Sequence, residues 1–196
     1  MSAVLTRHNV KVVGHGEQPM IFAHGFGCDQ NMWRFITPAF QDRYKVILFD
    51  YVGHGQSDAA AFDQARYGSL QGYADDVLAI CRELNLKDVI FVGHSVSAMI
   101  GVLAAIQEAE RLDRLVLIGP SPRYMDDDDY VGGFKQEDIA GLLDSLDSNH
   151  LENLPGSEFV LMTATGHCPN LSAPEETIAA MEAFLRGSVP NKAAAE

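Results

Sequence analysis

The fold is decided by the stretch Gly93-His94-Ser95-Val96-Ser97. Residues 88–92 before it are mostly β-branched or aromatic and predict a buried strand, whereas the small and apolar residues 98–110 after it predict a helix. A serine at a sharp turn between a buried strand and a helix is a nucleophile elbow, usually written G-x-S-x-G. A serine here takes the last place of that pattern. The alternative is a serine that only caps the helix, and the pentapeptide alone does not decide between the two.

The composition is that of a globular protein, with 196 residues that suffice for one domain with a full core. The net charge of −13 argues against partners such as nucleic acid or an anionic membrane surface. The three cysteines, at 28, 81 and 168, form neither a disulfide framework nor a zinc pattern, which fits a reducing compartment. Because the sequence also shows no signal peptide and no run of membrane-spanning length, we expect a cytoplasmic location.

Apolar strands alternate with amphipathic helices along the first 120 residues. The predicted strands cover residues 9–13, 20–23, 45–49, 88–92 and 114–118. The predicted helices cover 31–40, which ends near Pro38, 71–84 and 98–110. Strands that are apolar on both faces and alternate with helices predict an α/β fold, a doubly wound and mostly parallel sheet. Ligands of such folds bind at the carboxyl ends of the strands, where residues 24–27, 50–58 and Ser95 are expected.

The pattern changes after Pro122. An amphipathic helix is predicted over 134–146, a final strand over 158–162 and a last helix over 174–185, which a capping box opens at Ser172. Residues 1–187 are predicted to form a single domain, and residues 188–196 a disordered tail.

Acyl transfer by a serine needs a base, and His167 is the best candidate. It follows the predicted last strand in a Gly-His pair, where the glycine allows the chain to turn back toward the sheet. Of the other histidines, His8 and His15 are expected at the surface, and His24 and His54 are expected to be structural within glycine-rich loops.

The reaction also needs hydrogen-bond donors for the developing oxyanion. The backbone N–H groups of Val96, directly after the elbow, and of Phe26, in the loop at 24–27, are the candidates. The alternative for this loop is a plain strand-to-helix turn.

Five short motifs follow one another in a fixed order. They are HGFG at 24–27, FDYVG at 49–53, GHSVSAM at 93–99, GPSPRY at 119–124 and GHCP at 166–169. Together they resemble the α/β-hydrolase superfamily and its RsbQ-like branch, which includes a bacterial stress-signalling hydrolase and plant strigolactone and karrikin receptors. The resemblance covers about residues 8–149 and 152–186. It implies an α/β-hydrolase fold and the hydrolysis of small ester- or lactone-like ligands, sometimes slowly and as part of signalling.

The resemblance also implies roles for single residues. Ser95 would be the nucleophile, His167 the base, and Phe26 and Val96 the oxyanion-hole donors. The serine at position 97 fits this branch.

The interval between the strands that end at 118 and begin at 158 is shorter than the resemblance implies. It holds 39 residues, 119–157, whereas a single βαβ unit takes about 30 or more. We therefore expect most of the cap and the acid-bearing strand to be missing, with residues 123–150 as a shortened cap. The triad acid is unknown, since nothing in the sequence places a carboxylate of this interval beside His167; the candidates are Asp126 to Asp129, Asp144, Asp147 and Glu152.

Two main hypotheses on function follow. The first is a serine hydrolase that forms an acyl-enzyme at Ser95 with a small apolar ester or lactone. The alternative is a catalytically weak module that senses a small ligand and docks a signalling protein. A third hypothesis is a shortened form without activity.

A homodimer is a candidate assembly, because a missing cap would expose apolar surface. No metal or cofactor is expected, because the sequence holds no metal-ligand spacing and no nucleotide fingerprint.

Overall fold

The computed structural model describes residues 2–120, 160–163 and 166–187. The chain divides into two compact units, Met1–Pro122 and Arg123–Glu196. The predicted single domain over 1–187 spans both units and stays a prediction. The predicted helix over 134–146, the shortened cap over 123–150 and the tail over 188–196 lie outside the described residues.

The first unit is built on a five-stranded sheet. Its strands are β1 (Lys11–Val13), β2 (Pro19–Ala23), β3 (Lys45–Leu48), β4 (Val89–His94) and β5 (Leu112–Ile118). Their order in the sheet is β1-β3-β2-β4-β5, and all neighbours are parallel except β1 and β3. Every residue of β2 and β4 is buried, as expected for strands at the centre of a sheet covered on both faces. The predicted mostly parallel α/β sheet is confirmed.

Helices connect these strands and end the described chain. They are α1 (Ala3–Arg7), α2 (Gln64–Tyr67), α3 (Leu70–Glu83), α4 (Val96–Gln107), α5 (Pro169–Ser172) and α6 (Pro174–Arg186). Short 3-10 helices lie at Gln30–Trp33, Thr37–Ala39, Ala59–Ala61 and Ala109–Arg111. The bounds of α3 and α6 agree with the predicted helices over 71–84 and 174–185, because both helices carry a clear amphipathic pattern.

The α-helix predicted over 31–40 is wrong. Two 3-10 helices take its place, and the second contains Pro38. A proline has no N–H to donate and disfavours helical backbone in the residue before it, so one continuous helix cannot form across this position. Most of the apolar residues are buried all the same, although Phe35 is 49% exposed. The Trp33 ring centroid lies 5.2 Å from that of Phe22 in β2.

The second unit corrects two further expectations. Residues 160–162, the described part of the strand predicted over 158–162, form no strand, and Leu161 is 76% exposed. The capping box at Ser172 is also absent, because Ser172 ends α5, where its hydroxyl donates to the Cys168 carbonyl 3.3 Å away. Ala173 is the N-cap residue of α6 and makes no side-chain cap hydrogen bond.

The strand order fixes where a ligand can bind. From β2 the chain passes to β3 on one side, and it then returns to place β4 on the other side of β2. In doubly wound sheets the crevice at such a reversal, beyond the carboxyl ends of the two strands, is the usual ligand site. Residues 24–27 follow β2 and Ser95 follows β4, so both predicted motifs of the site lie at this crevice.

Candidate active site

Ser95 sits at a strained turn between β4 and α4. Its backbone angles are φ 56° and ψ −123°, in the positive-φ half of the Ramachandran map, which residues with a side chain rarely occupy. The Ser95 N–H donates to the Ile118 carbonyl of β5 at 2.8 Å, and the Ser95 carbonyl accepts from the Ala98 N–H at 2.9 Å. The turn thus has the geometry of a nucleophile elbow, with hydrogen bonds on both sides that keep the strained residue in place.

Gly93 allows this turn to form. A Cβ atom at position 93 would lie 2.5 Å from the Ser97 carbonyl oxygen and 2.9 Å from the Ala98 nitrogen. Both atoms belong to the backbone, so neither can rotate away. The strand and the helix therefore approach as closely as the elbow requires only because residue 93 has no side chain.

The loop at 24–27 passes directly against the elbow. A Cβ atom on Gly25 would lie 2.5 Å from the Nδ1 atom of His94 and 3.4 Å from the Cβ of Ser95. Phe26, the next residue, has an exposed side chain, and its ring meets the His54 ring edge-on with centroids 5.9 Å apart. The segments that carry the two predicted oxyanion donors therefore both lie next to Ser95, and Phe26 and Val96 line the same cavity.

His24 is held in one neutral tautomer. Its Nε2 atom accepts a hydrogen bond from the Tyr51 N–H at 3.1 Å, so the proton is on Nδ1, which donates to the Gly25 carbonyl at 2.9 Å. Burial lowers the pKa of this ring, and the Gly25 carbonyl offsets that effect only in part. His24 is therefore structural, as the sequence predicts, and both of its ring nitrogens are occupied.

Ser97 does more than replace a glycine. Its side chain is fully buried, and its hydroxyl donates to the His24 carbonyl and lies 3.1 Å from the Tyr51 hydroxyl. Burial raises the pKa of the Tyr51 phenol, which therefore keeps its proton. The sequence indicates only that a small residue is needed at 97, and the hydrogen bonds depend on loops that are distant in sequence.

A cavity of about 80 Å³ lies beside the elbow. Its apolar walls come from Phe26, Leu70, Val96 and Ile100. The rings of His24, Tyr51, His54 and Tyr73 also line it. A small space with mostly apolar walls, lined by Val96 directly after Ser95, suits a small ligand that carries one polar reactive group.

His167 lies in the second unit. Gly166 before it has φ 104°, a conformation that favours glycine, and α5 begins two residues after it at Pro169. His167 is half-buried, and this burial lowers the pKa of its ring below the usual 6.5, so it is neutral at pH 7, as a general base must be. Its pairing with Ser95 stays a prediction.

Comparison with known proteins supports the fold. A family model for the alpha/beta hydrolase fold matches residues 18–186. The chain belongs to the alpha/beta hydrolase family. A hydrolase from Oleispira antarctica has a similar structure, with a TM-score of 0.87 and 30% identity over 95% of this chain and 97% of that one.

Plant proteins are among the curated relatives of this alpha/beta hydrolase. Karrikin insensitive 2 receptor CA of Petunia hybrida is 48% identical over 150 residues, which are 76% of this chain and 56% of the petunia protein. Strigolactone esterase D14 of Arabidopsis thaliana is 43% identical over 147 residues, 75% of this chain and 55% of that protein. The chain thus spans about half the length of the curated relatives that it matches.

Three further expectations concern the triad acid, a metal site and a membrane span. The acid candidates of the sequence all fall at residues 126–152, outside the described residues. Within 2–120, 160–163 and 166–187, no three His, Cys, Asp or Glu side chains are grouped so that they could hold a metal ion. In the same ranges, no helix is both long and apolar enough to span a membrane.

The expectation that His8 lies at the surface is wrong. His8 is fully buried, with Nε2 3.6 Å from the Asp76 carboxylate and Nδ1 3.4 Å from the Asp50 carbonyl. Asp76 also accepts from the Tyr67 hydroxyl and pairs with Arg66. Burial acts to raise the pKa of Asp76, but these partners outweigh it and lower that pKa. The sequence around His8 is polar, and only the folded chain brings in its partners.

Asp50 organises the loops around the site and was missed by sequence reasoning. Its buried carboxylate accepts from the Asn9 side chain at 2.8 Å and from the backbone N–H groups of Gln30 and Gln56, each at 2.9 Å. Burial acts to raise the pKa of this carboxyl, but the three hydrogen bonds outweigh it and hold the pKa below its usual 3.8. The available signal was an aspartate directly after a buried strand in a glycine-rich loop.

We predict that Asp50→Asn destabilises the protein by about 1–3 kcal/mol at pH 7. The amide NH2 group would replace one carboxylate oxygen and would face an N–H donor from which that oxygen now accepts a hydrogen bond. Since the folded-state pKa of Asp50 is depressed, its contribution is present above about pH 4 and is lost as the pH falls below 3.8. Urea unfolding of both proteins at pH 7 and pH 3 measures this difference.

The control is Asp42→Asn, an exposed aspartate of the same unit. Its unfolding midpoint at pH 7 is expected to match that of the wild type. Equal stability of Asp50→Asn and the wild type at pH 7 would contradict the role given to Asp50.

Proposed function

We propose that this alpha/beta hydrolase cleaves small ester- or lactone-like substrates through an acyl-enzyme at Ser95. The observation that carries the proposal is the strained elbow at Ser95, packed against the loop at 24–27 beside a small apolar cavity. Strain of this kind costs about 1–3 kcal/mol and persists where a reactive side chain must be held at a set position.

Four residues take part in the proposed mechanism. The Ser95 Oγ attacks the substrate carbonyl carbon while His167 takes the hydroxyl proton. The N–H groups of Phe26 and Val96 donate to the oxyanion that forms. As the C–O bond breaks, the leaving oxygen takes the proton from His167, and in a lactone that oxygen stays attached to the acyl chain. His167 then takes a proton from water, whose oxygen adds to the acyl carbon. The bond from that carbon to the Ser95 Oγ breaks, the acid is released and His167 returns the proton to Oγ.

The proposal also covers the branch of the family, the cap, the location in the cell and the partners of this protein. The five motifs support a place in the RsbQ-like branch, and the 39-residue interval supports a shortened cap. A cytoplasmic location fits three cysteines that form no disulfide. A role in stress signalling, a signalling partner and a homodimer rest on the resemblance and on the apolar mouth that a short cap would expose.

The second candidate function is a ligand sensor with little turnover. Its support is that the relatives in Petunia hybrida are named receptors and that no carboxylate is assigned as the triad acid. In a serine protease, loss of the acid's function lowers turnover by about 10⁴-fold, so a chain without that acid could bind its ligand and release product very slowly.

We predict that a fluorophosphonate probe labels the wild-type protein and that Ser95→Ala abolishes the labelling. His167→Ala should slow labelling at least about a hundredfold, because general bases typically contribute 10²–10⁴-fold. Gel fluorescence over time gives both rates, and His15→Ala, at an exposed histidine, is the control that should label at the wild-type rate.

The outcomes separate the two functions. A folded wild-type protein that is not labelled, but whose melting temperature rises with a small lactone, would contradict the hydrolase and favour the sensor.

The rate of fluorophosphonate labelling should also depend on pH. Because the base must be neutral and burial lowers the pKa of His167, the labelling rate should rise with pH, reach half its maximum below pH 6.5 and stay constant near pH 7. The rate measured between pH 4.5 and 8 tests this. A midpoint above 6.5 would contradict the assignment of the half-buried His167 as the base.

A further inference from the structure

The Ser97 hydroxyl joins the helix after the nucleophile to the loop that would hold the oxyanion. Ser97 is the second residue of α4, and its hydroxyl donates to the carbonyl oxygen of His24, 73 residues away. The side chain is fully buried, so water does not compete for this hydrogen bond. Ser97 is thus a direct link between the segment that carries the Val96 N–H and the segment that carries the Phe26 N–H.

Two successive peptide groups of that loop are held by their oxygens. The carbonyl of the His24–Gly25 peptide accepts from Ser97, and the carbonyl of the Gly25–Phe26 peptide accepts from the Nδ1–H of His24. In a planar trans peptide the N–H points opposite to the C=O, so fixing the Gly25 oxygen fixes the direction of the Phe26 N–H. The Ser97 bond in turn fixes the peptide before it.

Tyr51 closes the network. Its N–H donates to His24 Nε2, and its hydroxyl lies 3.1 Å from the Ser97 oxygen. A serine hydroxyl has one proton, and here it is given to His24, so the Tyr51 hydroxyl donates to the Ser97 oxygen. The side chains of His24 and Ser97 are therefore each held by two hydrogen bonds, and Tyr51 is held by its backbone N–H and its hydroxyl.

We propose that Ser97 is a positioning residue that keeps the Phe26 and Val96 N–H groups aimed at one common point beside Ser95. This inference rests on the proposed hydrolase function and adds to it the reason why a serine stands where the usual pattern has glycine. The hydroxyl touches no reacting atom and acts only through the loop.

We expect the loss of the Ser97 hydroxyl to lower kcat less than the loss of a whole oxyanion donor would. Loss of a whole oxyanion donor typically costs 10²–10³-fold in turnover. Loss of Ser97 leaves both donors in place and loosens the aim of one, so we expect a fall in kcat of about tenfold. Because a mis-aimed donor weakens transition-state binding more than ground-state binding, KM should change by less than about twofold.

The test compares Ser97→Ala with the wild type in p-nitrophenyl acetate hydrolysis and in inhibition by phenylboronic acid, whose adduct with a serine carries an oxyanion-like oxygen. A merely structural role would lower the melting temperature without changing the ratio of boronate affinity to KM. The matched control is Thr37→Val, which also removes a buried hydroxyl that donates to a backbone carbonyl, that of Trp33 at 3.2 Å, away from the site. If Ser97→Ala does not fold, Ser97→Gly replaces it, since the common pattern places glycine there.

The proposal predicts that kcat falls and that boronate affinity weakens by a similar factor in Ser97→Ala, whereas Thr37→Val keeps the wild-type kcat. It is overturned if the wild-type protein shows Ser95-dependent hydrolysis and Ser97→Ala hydrolyses the ester at the same rate. Ester hydrolysis by the wild type that survives Ser95→Ala would instead refute the proposed function, and this inference with it.

Discussion

The close approach of β4 and α4 across Gly93 is the constraint on which the site depends. With no side chain at 93, the Ser97 carbonyl and the Ala98 nitrogen come to distances that a Cβ atom could not tolerate. This contact forces Ser95 into the left-handed region between them, and the hydrogen bond from its N–H to Ile118 anchors the turn to the neighbouring strand. The strain at Ser95 is thus held by contacts on both sides, which is how a folded chain retains a conformation that costs free energy.

Buried polar side chains transmit this constraint to the surrounding loops. His24 and Ser97 fix the loop after β2, and the Asp50 carboxylate gathers the chain near Asn9, Gln30 and Gln56 around the end of β3. Such groups are costly to bury without partners. The bonds from Ser97 to His24 and from Asn9 and Gln30 to Asp50 join segments that are 20 or more residues apart in sequence. The consequence is a loop geometry that is set by the fold rather than by local turn preference.

The sequence predicts the parts of the molecule that short-range pattern controls. The apolar runs of β2 and β4 and the amphipathic spacing of α3 and α6 lead to elements close to those observed. The helix expected from residue 31 to near Pro38 is replaced by two short 3-10 helices, which the apolar spacing alone does not distinguish from one α-helix.

The features of the candidate site also fall into those that the sequence predicts and those that it does not. The elbow and the loop at 24–27 are visible as motifs, whereas the burial of His8 and the hydrogen bonds of Ser97 and Asp50 are not. Their partners come together only in the folded chain, so neither propensity nor spacing contains the information. The roles of Ser95, His167, Phe26 and Val96 stay predictions that chemistry has to test.

The most direct test of the central claim is a crystal structure of the protein after reaction with a fluorophosphonate. The account predicts phosphorus bonded to the Oγ of Ser95 and one phosphonyl oxygen about 2.7–3.1 Å from both the Phe26 and the Val96 nitrogens. An adduct on another residue, or an adduct at Ser95 whose oxygens face neither N–H group, would contradict it.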